Sequence, residues 1–203
     1  MKTYQDFLEV AEKSDRERME FVLSAINNHK DSDLYKQAVI AKEYDAHRNV
    51  TIANFQKLLY TLNGKVIPDN YSPNYKLRSN FFANFITQET QYLLGNGVTL
   101  KEAANKGKLG ASFDVRLQDA AHAALVGGVS YGFWNLDHLE VFDVTEFVPI
   151  LDEENGALRS GIRFWQVSDT KPLRATLYEP DGFTQFIRRS GKNMEILEAK
   201  RGY

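Results

Sequence analysis

The chain has 203 residues, 43% of them hydrophobic and 26% charged, with no cysteine and a formal net charge of -2. A domain of this size buries roughly 70% of the surface its unfolded chain exposes, so it requires no metal or disulfide staple. The lack of cysteine excludes a disulfide framework, thiolate metal sites and a cysteine nucleophile. The slightly acidic balance argues against a chain whose main task is to grip nucleic acid, because phosphate binding needs a basic excess. No uncharged apolar run approaches the roughly 18 residues of a membrane span, and the opening MKTYQDFLEV brings acidic residues too early for a secretory signal. Together these features predict a soluble, intracellular α+β protein.

In chain order, Tyr4, Leu8 and Ala11 fall at helical spacing, as do Met19, Val22, Leu23 and Ile26 after a polar centre. Ser14-Asp15-Arg16-Glu17 has capping-box form. This favours a short helix and a new one from about Asp15 to Asn28 over one continuous helix. A polar break at Asn28 to Asp33 is expected to end it. Leu34 to about Leu62 is again expected to be helical, interrupted where Val50-Thr51-Ile52 brings β-branching, and Asn63-Gly64 reads as its stop. After a turn-rich loop from Pro68 to Pro73, the spacing of Phe82, Phe85, Ile86 and Leu93 predicts a helix over Leu77 to Leu94, closed by Gly95-Asn96-Gly97. A loop with Gly107 and Gly110 leads to an Ala-rich helix from about Phe113 to Val126.

From Val129 the period changes to that of strands. Runs are expected at Tyr131 to Leu136, Leu139 to Phe142, Phe147 to Leu151, Ile162 to Val167, Leu173 to Tyr178, Phe183 to Arg188 and Met194 to Leu197. Turn chemistry at Asn155-Gly156, Pro180-Asp181-Gly182 and Ser190-Gly191 separates the later ones. Sequential strands with short turns predict an antiparallel meander rather than a βαβ sheet. The organisation expected is an N-terminal helical region over residues 1–72, a second helical part over 73–128, and a β-rich part over 129–203. The chain stops at Lys200-Arg201-Gly202-Tyr203 just after a strand signal, which reads as a truncation.

Gly128-Val129-Ser130-Tyr131-Gly132 matches the G-x-S-x-G elbow of serine hydrolases. That elbow needs a strand entering the turn and a helix leaving it. Here the helix comes first, and the one histidine after Ser130 is His138, directly preceded by Asp137. The glycines are better explained as a helix-to-strand corner. His29, His47, His122 and His138 show no ligand spacing on one helical face, so no metal site is expected. The acidic run Asp152 to Gly156 does not match a calcium loop and reads as a solvated hairpin tip. Gly95-Asn96-Gly97 lacks the rest of a phosphate-binding fingerprint, so no cofactor is expected either. Arg188, Arg189, Lys192, Lys200 and Arg201 are diluted by Glu195 and Glu198 and read as a solvated sheet face.

Two segments carry a specific likeness. The first runs from Pro73-Asn74-Tyr75-Lys76-Leu77-Arg78-Ser79-Asn80-Phe81-Phe82 through Phe85-Ile86 to Gln91-Tyr92-Leu93-Leu94-Gly95-Asn96-Gly97-Val98-Thr99. The second runs from Ala124-Leu125-Val126-Gly127-Gly128-Val129-Ser130-Tyr131 through Phe147-Val148-Pro149-Ile150-Leu151-Asp152 to Ile162-Arg163-Phe164-Trp165. The ordered series resembles the portal proteins of tailed bacteriophages, of the type found in long-tailed phages of Gram-positive hosts. Gly97 stands where that family usually has proline, and Thr87-Gln88 replace a common Val-Asp pair. The resemblance implies a non-enzymatic subunit of a homo-oligomeric ring at one capsid vertex of the virion. DNA would pass through the ring without sequence-specific binding, and terminase motor, capsid or scaffold and neck proteins would dock on it. It also implies that this piece is wing-like, with stem and clip beyond Tyr203, and by itself monomeric or weakly associated. A small serine hydrolase using Ser130, or an unrelated helix-plus-meander interaction domain, are the alternatives.

Overall fold

The computed structural model describes residues 2–11 and 14–203. The fold is α+β, with its helices mostly in the N-terminal part and an antiparallel meander after them. Helix α1 (Tyr4–Ala11) is followed by α2 (Asp15–Asp31). Between them Ser14 is extended, at φ -160° and ψ 155°, and its hydroxyl accepts from the Glu17 amide. The capping box therefore ends any continuous helix, while residues 12 and 13 of the polar centre lie outside the described residues. Helix α2 runs past Asn28 and stops only at Ser32, because that residue does two jobs. Its hydroxyl donates to the His29 carbonyl and accepts from the Tyr35 amide, opening α3 (Asp33–Asp45).

The helical reading of Leu34 to Leu62 is corrected beyond α3. Asn49 caps the short α4 (Val50–Asn54), and the chain then forms β1 (Leu58–Tyr60) and β2 (Val66–Pro68), an antiparallel ribbon. Asn63-Gly64 is accordingly a hairpin turn rather than a helix stop, with Gly64 at φ 71°. Three-residue apolar runs have no readable period, and the turn chemistry that can stop a helix also reverses a ribbon. Residues 69–80 form neither helix nor strand, so α5 (Phe81–Leu94) starts four residues later than the apolar spacing predicts. The expected loop after it contains a short α6 (Ala103–Gly107), followed by α7 (Phe113–Gly127).

Strands β3 (Ser130–Asn135) and β4 (His138–Asp143) form a separate hairpin, and β5 (Phe147–Leu151), β6 (Leu158–Trp165), β7 (Leu173–Glu179), β8 (Gly182–Arg188) and β9 (Met194–Arg201) form a five-stranded antiparallel sheet in sequence order. The sheet is covered on both faces. Val148, Ile150, Ile162, Phe164, Ala175, Leu177 and Phe186 face α1 and α2, where they meet Phe7, Phe21, Val22 and Ile26. Each large apolar side chain buried there contributes about 1.5–3 kcal/mol. The opposite face receives the β3–β4 hairpin, and two-sided cover explains why β5 is buried along nearly its whole length instead of alternating.

Behind the hairpin, α7 packs against β3 and β4 on one side and against α3 and α5 on the other. Its alanines and Gly127 permit that closeness. A Cβ on Gly127 would stand 3.1 Å from Val144 Cγ1. The acidic tip after β5 is held in place. Thr3 bridges to Leu151, its hydroxyl donates to Glu153, and Gln5 Oε1 accepts from the Glu153 amide. Among the described residues no helix is long and apolar enough to cross a membrane.

Candidate functional site

Gly128 ends α7 in the left-handed conformation, at φ 84°, and the chain turns straight into β3. A side chain is disfavoured at such an angle, so glycine fits the corner. The Ser130 hydroxyl donates to the Ala120 carbonyl at 2.8 Å, pinning the first residue of the strand back onto the helix it has just left. His138 lies at the far end of the same hairpin, since Ser130 pairs with Asp143 and Asn135 with His138. Five strand steps correspond to about 17 Å. The three residues Ser130, Asp137 and His138 are therefore not brought together. His138 Nδ1 instead sits 2.7 Å from Asp137, whose carboxyl is held below its ordinary value first by that hydrogen bond.

Aromatic side chains fill the space between hairpin and sheet. The Tyr131 ring lies 4.6 Å from that of Phe147, Phe133 lies 4.6 Å from Tyr178, and Phe142 stacks on Phe147 at 5.6 Å. Phe147 in turn lies over Gly161 of the neighbouring strand, in space that any side chain at 161 would occupy. The Arg163 guanidinium rests 4.5 Å above the Phe142 ring and reaches Glu140 Oε2 at 3.4 Å. A cation on an aromatic face with a carboxylate partner satisfies both its charge and its flat apolar surface. Burial raises the Tyr178 hydroxyl pKa, and the Glu140 charge adds to that.

Where the hairpin joins the sheet, Lys42 of α3 donates to Asp143 Oδ2 at 2.7 Å and to Thr145 Oγ1 at 2.9 Å. Burial pushes the Asp143 carboxyl up, but hydrogen bonds from Lys42 and Thr145 outweigh it and hold the group below the usual range. Nearby Glu146 is raised by burial and then by the charge of Asp143. His29 Nε2 lies 2.6 Å from the Val144 carbonyl oxygen, tying α2 to the same junction. On the other side of the sheet Arg18 pairs with the buried Glu179 and donates to Thr184 Oγ1 at 3.1 Å. Lys200 completes that group at 3.2 Å from Glu179 and 2.6 Å from Asp181, and the hydrogen bond to Asp181 leads in raising its pKa. Lys200 thus belongs to an ion-pair cluster, and the basic C-terminal residues are not one uniform solvated face.

Two features escaped the sequence reading. The first is an open apolar cleft of about 700 Å³ between the β3–β4 turn and the end of the sheet, lined by Phe133, Trp134, Leu136, Phe183 and Tyr203. The second is the extent of apolar exposure on β1, β2 and the segment after them. A signal for the cleft is the two-residue turn Leu136-Asp137, which lacks the glycine or asparagine that such turns favour. Leu136 takes φ 56° all the same and is 85% exposed. Among the described residues no group of three or more His, Cys, Asp or Glu side chains is placed to hold a metal ion.

No protein-family model matches the chain, and a search of curated proteins likewise finds no match.

Proposed function

We propose that the chain is a structural subunit of a tailed-bacteriophage portal ring, the assembly at one capsid vertex through which DNA is packaged and ejected. The observation that supports this reading is the ordered series of family-like residues between 73 and 167, each at a mechanical position. Pro73 to Asn80 lead into α5, and Gly95-Asn96-Gly97 leave it. Gly127-Gly128 turn α7 into the strand that bears Tyr131. Pro149 of β5 and Gly161 to Phe164 of β6 lie side by side in the sheet. These residues make corners, caps and packed faces, which is the chemistry of an assembly part. A net charge of -2 offers no phosphate-gripping excess, as suits a conduit that DNA must slide through.

In this reading the partners are further copies of the subunit, the terminase motor, capsid or scaffold and neck proteins, and passing DNA. The test is genetic and biochemical together. Sequencing the DNA around the gene should place terminase and capsid genes beside it, and disrupting the gene should give capsids without DNA. A gene far from any packaging cluster, with full particles formed in its absence, would overturn the proposal.

A further inference from the structure

Residues 53–80 form an arm with a shaped polar base. The chain leaves α4 through β1, reverses at Asn63-Gly64 and comes back through β2. The returning segment is tied along the outgoing one. The Asp69 amide donates to the Lys57 carbonyl at 2.8 Å, and Lys57 Nζ donates to the Pro73 carbonyl at 2.7 Å. Asn74 Nδ2 donates to the Phe55 carbonyl at 3.4 Å, and Lys76 Nζ donates to the Ala53 carbonyl at 2.6 Å. The two segments enclose a polar hollow of about 520 Å³, whose lining includes Asn54, Gln56, Asn70, Ser72, Asn74 and Lys76. Asn54, Gln56 and Asn70 are exposed, so their carboxamides are open to a ligand.

Rings and cations accompany the hollow. Phe55 lines it and is 58% exposed. Tyr71 and Tyr75 stand between its lining residues in the chain and are 91% and 86% exposed. The charge is one-sided. Residues 53–80 carry Lys57, Lys65, Lys76 and Arg78 against Asp69 alone, whereas the rest of the chain carries 21 basic residues against 26 acidic. Among the described residues none of these four cations forms a salt bridge. Lys57 and Lys76 rest on uncharged carbonyls, which fixes their place without cancelling their charge. Asp69 turns one carboxylate oxygen to the Tyr71 and Ser72 amides, each at 2.9 Å.

Exposed rings, unpaired cations and open carboxamides answer the parts of an unpaired nucleotide. Bases stack on aromatic side chains, phosphates take Lys and Arg, and Asn and Gln hydrogen-bond base edges. A protein partner suits this surface less, because lysine is depleted in protein interfaces. A duplex suits it less as well, since its bases are stacked on each other and present no free face. We infer that the arm binds single-stranded nucleic acid. The inference rests on the arm's own residues and not on the ring reading above. The net charge of -2 keeps such binding weak and sensitive to salt. With at most four phosphate contacts, log K should fall against log salt with a slope no steeper than about -3.

Fluorescence anisotropy of a labelled mixed-sequence DNA single strand of about 15 nucleotides, titrated with the purified chain at low salt, tests this. Tyr71→Ala/Tyr75→Ala removes two exposed rings, and Lys65→Glu/Arg78→Glu reverses the two cations that hold no backbone carbonyl. Lys171→Glu/Lys192→Glu makes the same change of net charge at exposed positions away from the arm. Wild type is expected to bind in the micromolar range and to hold the matching duplex at least about tenfold more weakly. Each stacked ring is worth at least about fivefold in affinity, so the ring variant should lose tenfold or more. The arm charge variant should lose at least about tenfold, and the distant one no more than about twofold. No binding up to near-millimolar protein, a duplex held as tightly as the single strand, or a ring variant that binds like wild type would overturn the inference. So would a distant charge variant that loses as much as the arm variant, or an arm that drives self-association and leaves the strand free.

Discussion

Replacing Gly161 by alanine drives a methyl group into the ring of Phe147. An ideal Cβ at 161 points at Phe147 Cζ and stands only 2.7 and 2.8 Å from Cε1 and Cε2, where carbon atoms in contact sit about 3.5–4.0 Å apart. The ring has nowhere easy to go, because Tyr131 packs against it at 4.6 Å and Phe142 stacks on it at 5.6 Å. Overpacking a tight core costs about 1–3 kcal/mol, and a ring held by two other aromatic rings belongs at the upper end of that range. For a chain of this size the loss corresponds to a fall in Tm of roughly 5–10 °C. Differential scanning calorimetry measures it, with Gly107→Ala as the control. Gly107 ends α6 with open space around its Cβ position, so the same added methyl should be neutral or stabilise by up to about 1 kcal/mol. A Phe147→Leu background supplies the second check. Without the ring, the Gly161→Ala penalty should drop by about 1–2 kcal/mol, a coupling that separates the clash from any intrinsic preference of the strand. A Tm for Gly161→Ala within a degree of wild type, or a penalty unchanged in the Phe147→Leu background, would refute the packing assigned to the hairpin and sheet.

Ser130→Ala should cost about 0.5–1.5 kcal/mol by denaturant titration, the worth of the hydrogen bond to Ala120. Hydrolysis of generic esters should stay at the buffer rate in both proteins, and turnover by wild type that vanishes in the variant would return Ser130 to an enzymatic role. Asp143→Asn should lower stability at pH 7 by about 1–2 kcal/mol, the value of charged hydrogen bonds discounted for the partial exposure of Lys42. Because the folded Asp143 carboxyl lies below its ordinary value of 3.8, its contribution is complete above that pH and is lost as the pH falls through the depressed value. The gap between wild type and variant should therefore close in acid. Chemical denaturation at a series of pH values reads this directly, and a gap that stays constant into strong acid would show that the carboxylate's charge contributes nothing.

Much of the secondary structure could be read because its causes are local. Ser14 and Glu17 lie three residues apart and cap α2 wherever that helix packs. The left-handed turns at Gly128, Gly156 and Gly191, and the Pro180-Asp181 reversal, are each settled by a few adjacent residues. The same locality explains the failure at Leu58 to Tyr60, where three apolar residues suit a helix or a ribbon equally and no neighbouring residue decides between them. The late start of α5 has a similar origin, since Leu77 extends the apolar spacing while the helix itself begins only at Phe81.

What only the tertiary structure decided is which surfaces meet. The order and type of most elements follow from apolar period and turn chemistry along the chain, and those are properties of neighbouring residues. The separation of the β3–β4 hairpin from the five-stranded sheet, the aromatic layer between them, the bond from Ser130 to Ala120 and the cleft beside Leu136 all depend on residues brought close by the packing. Apolar burial has no direction of its own, so many pairings of these strands and helices would satisfy the pattern in the chain. The fit of particular side chains, such as Phe147 over Gly161 or Gly127 beside Val144, is what selects among them.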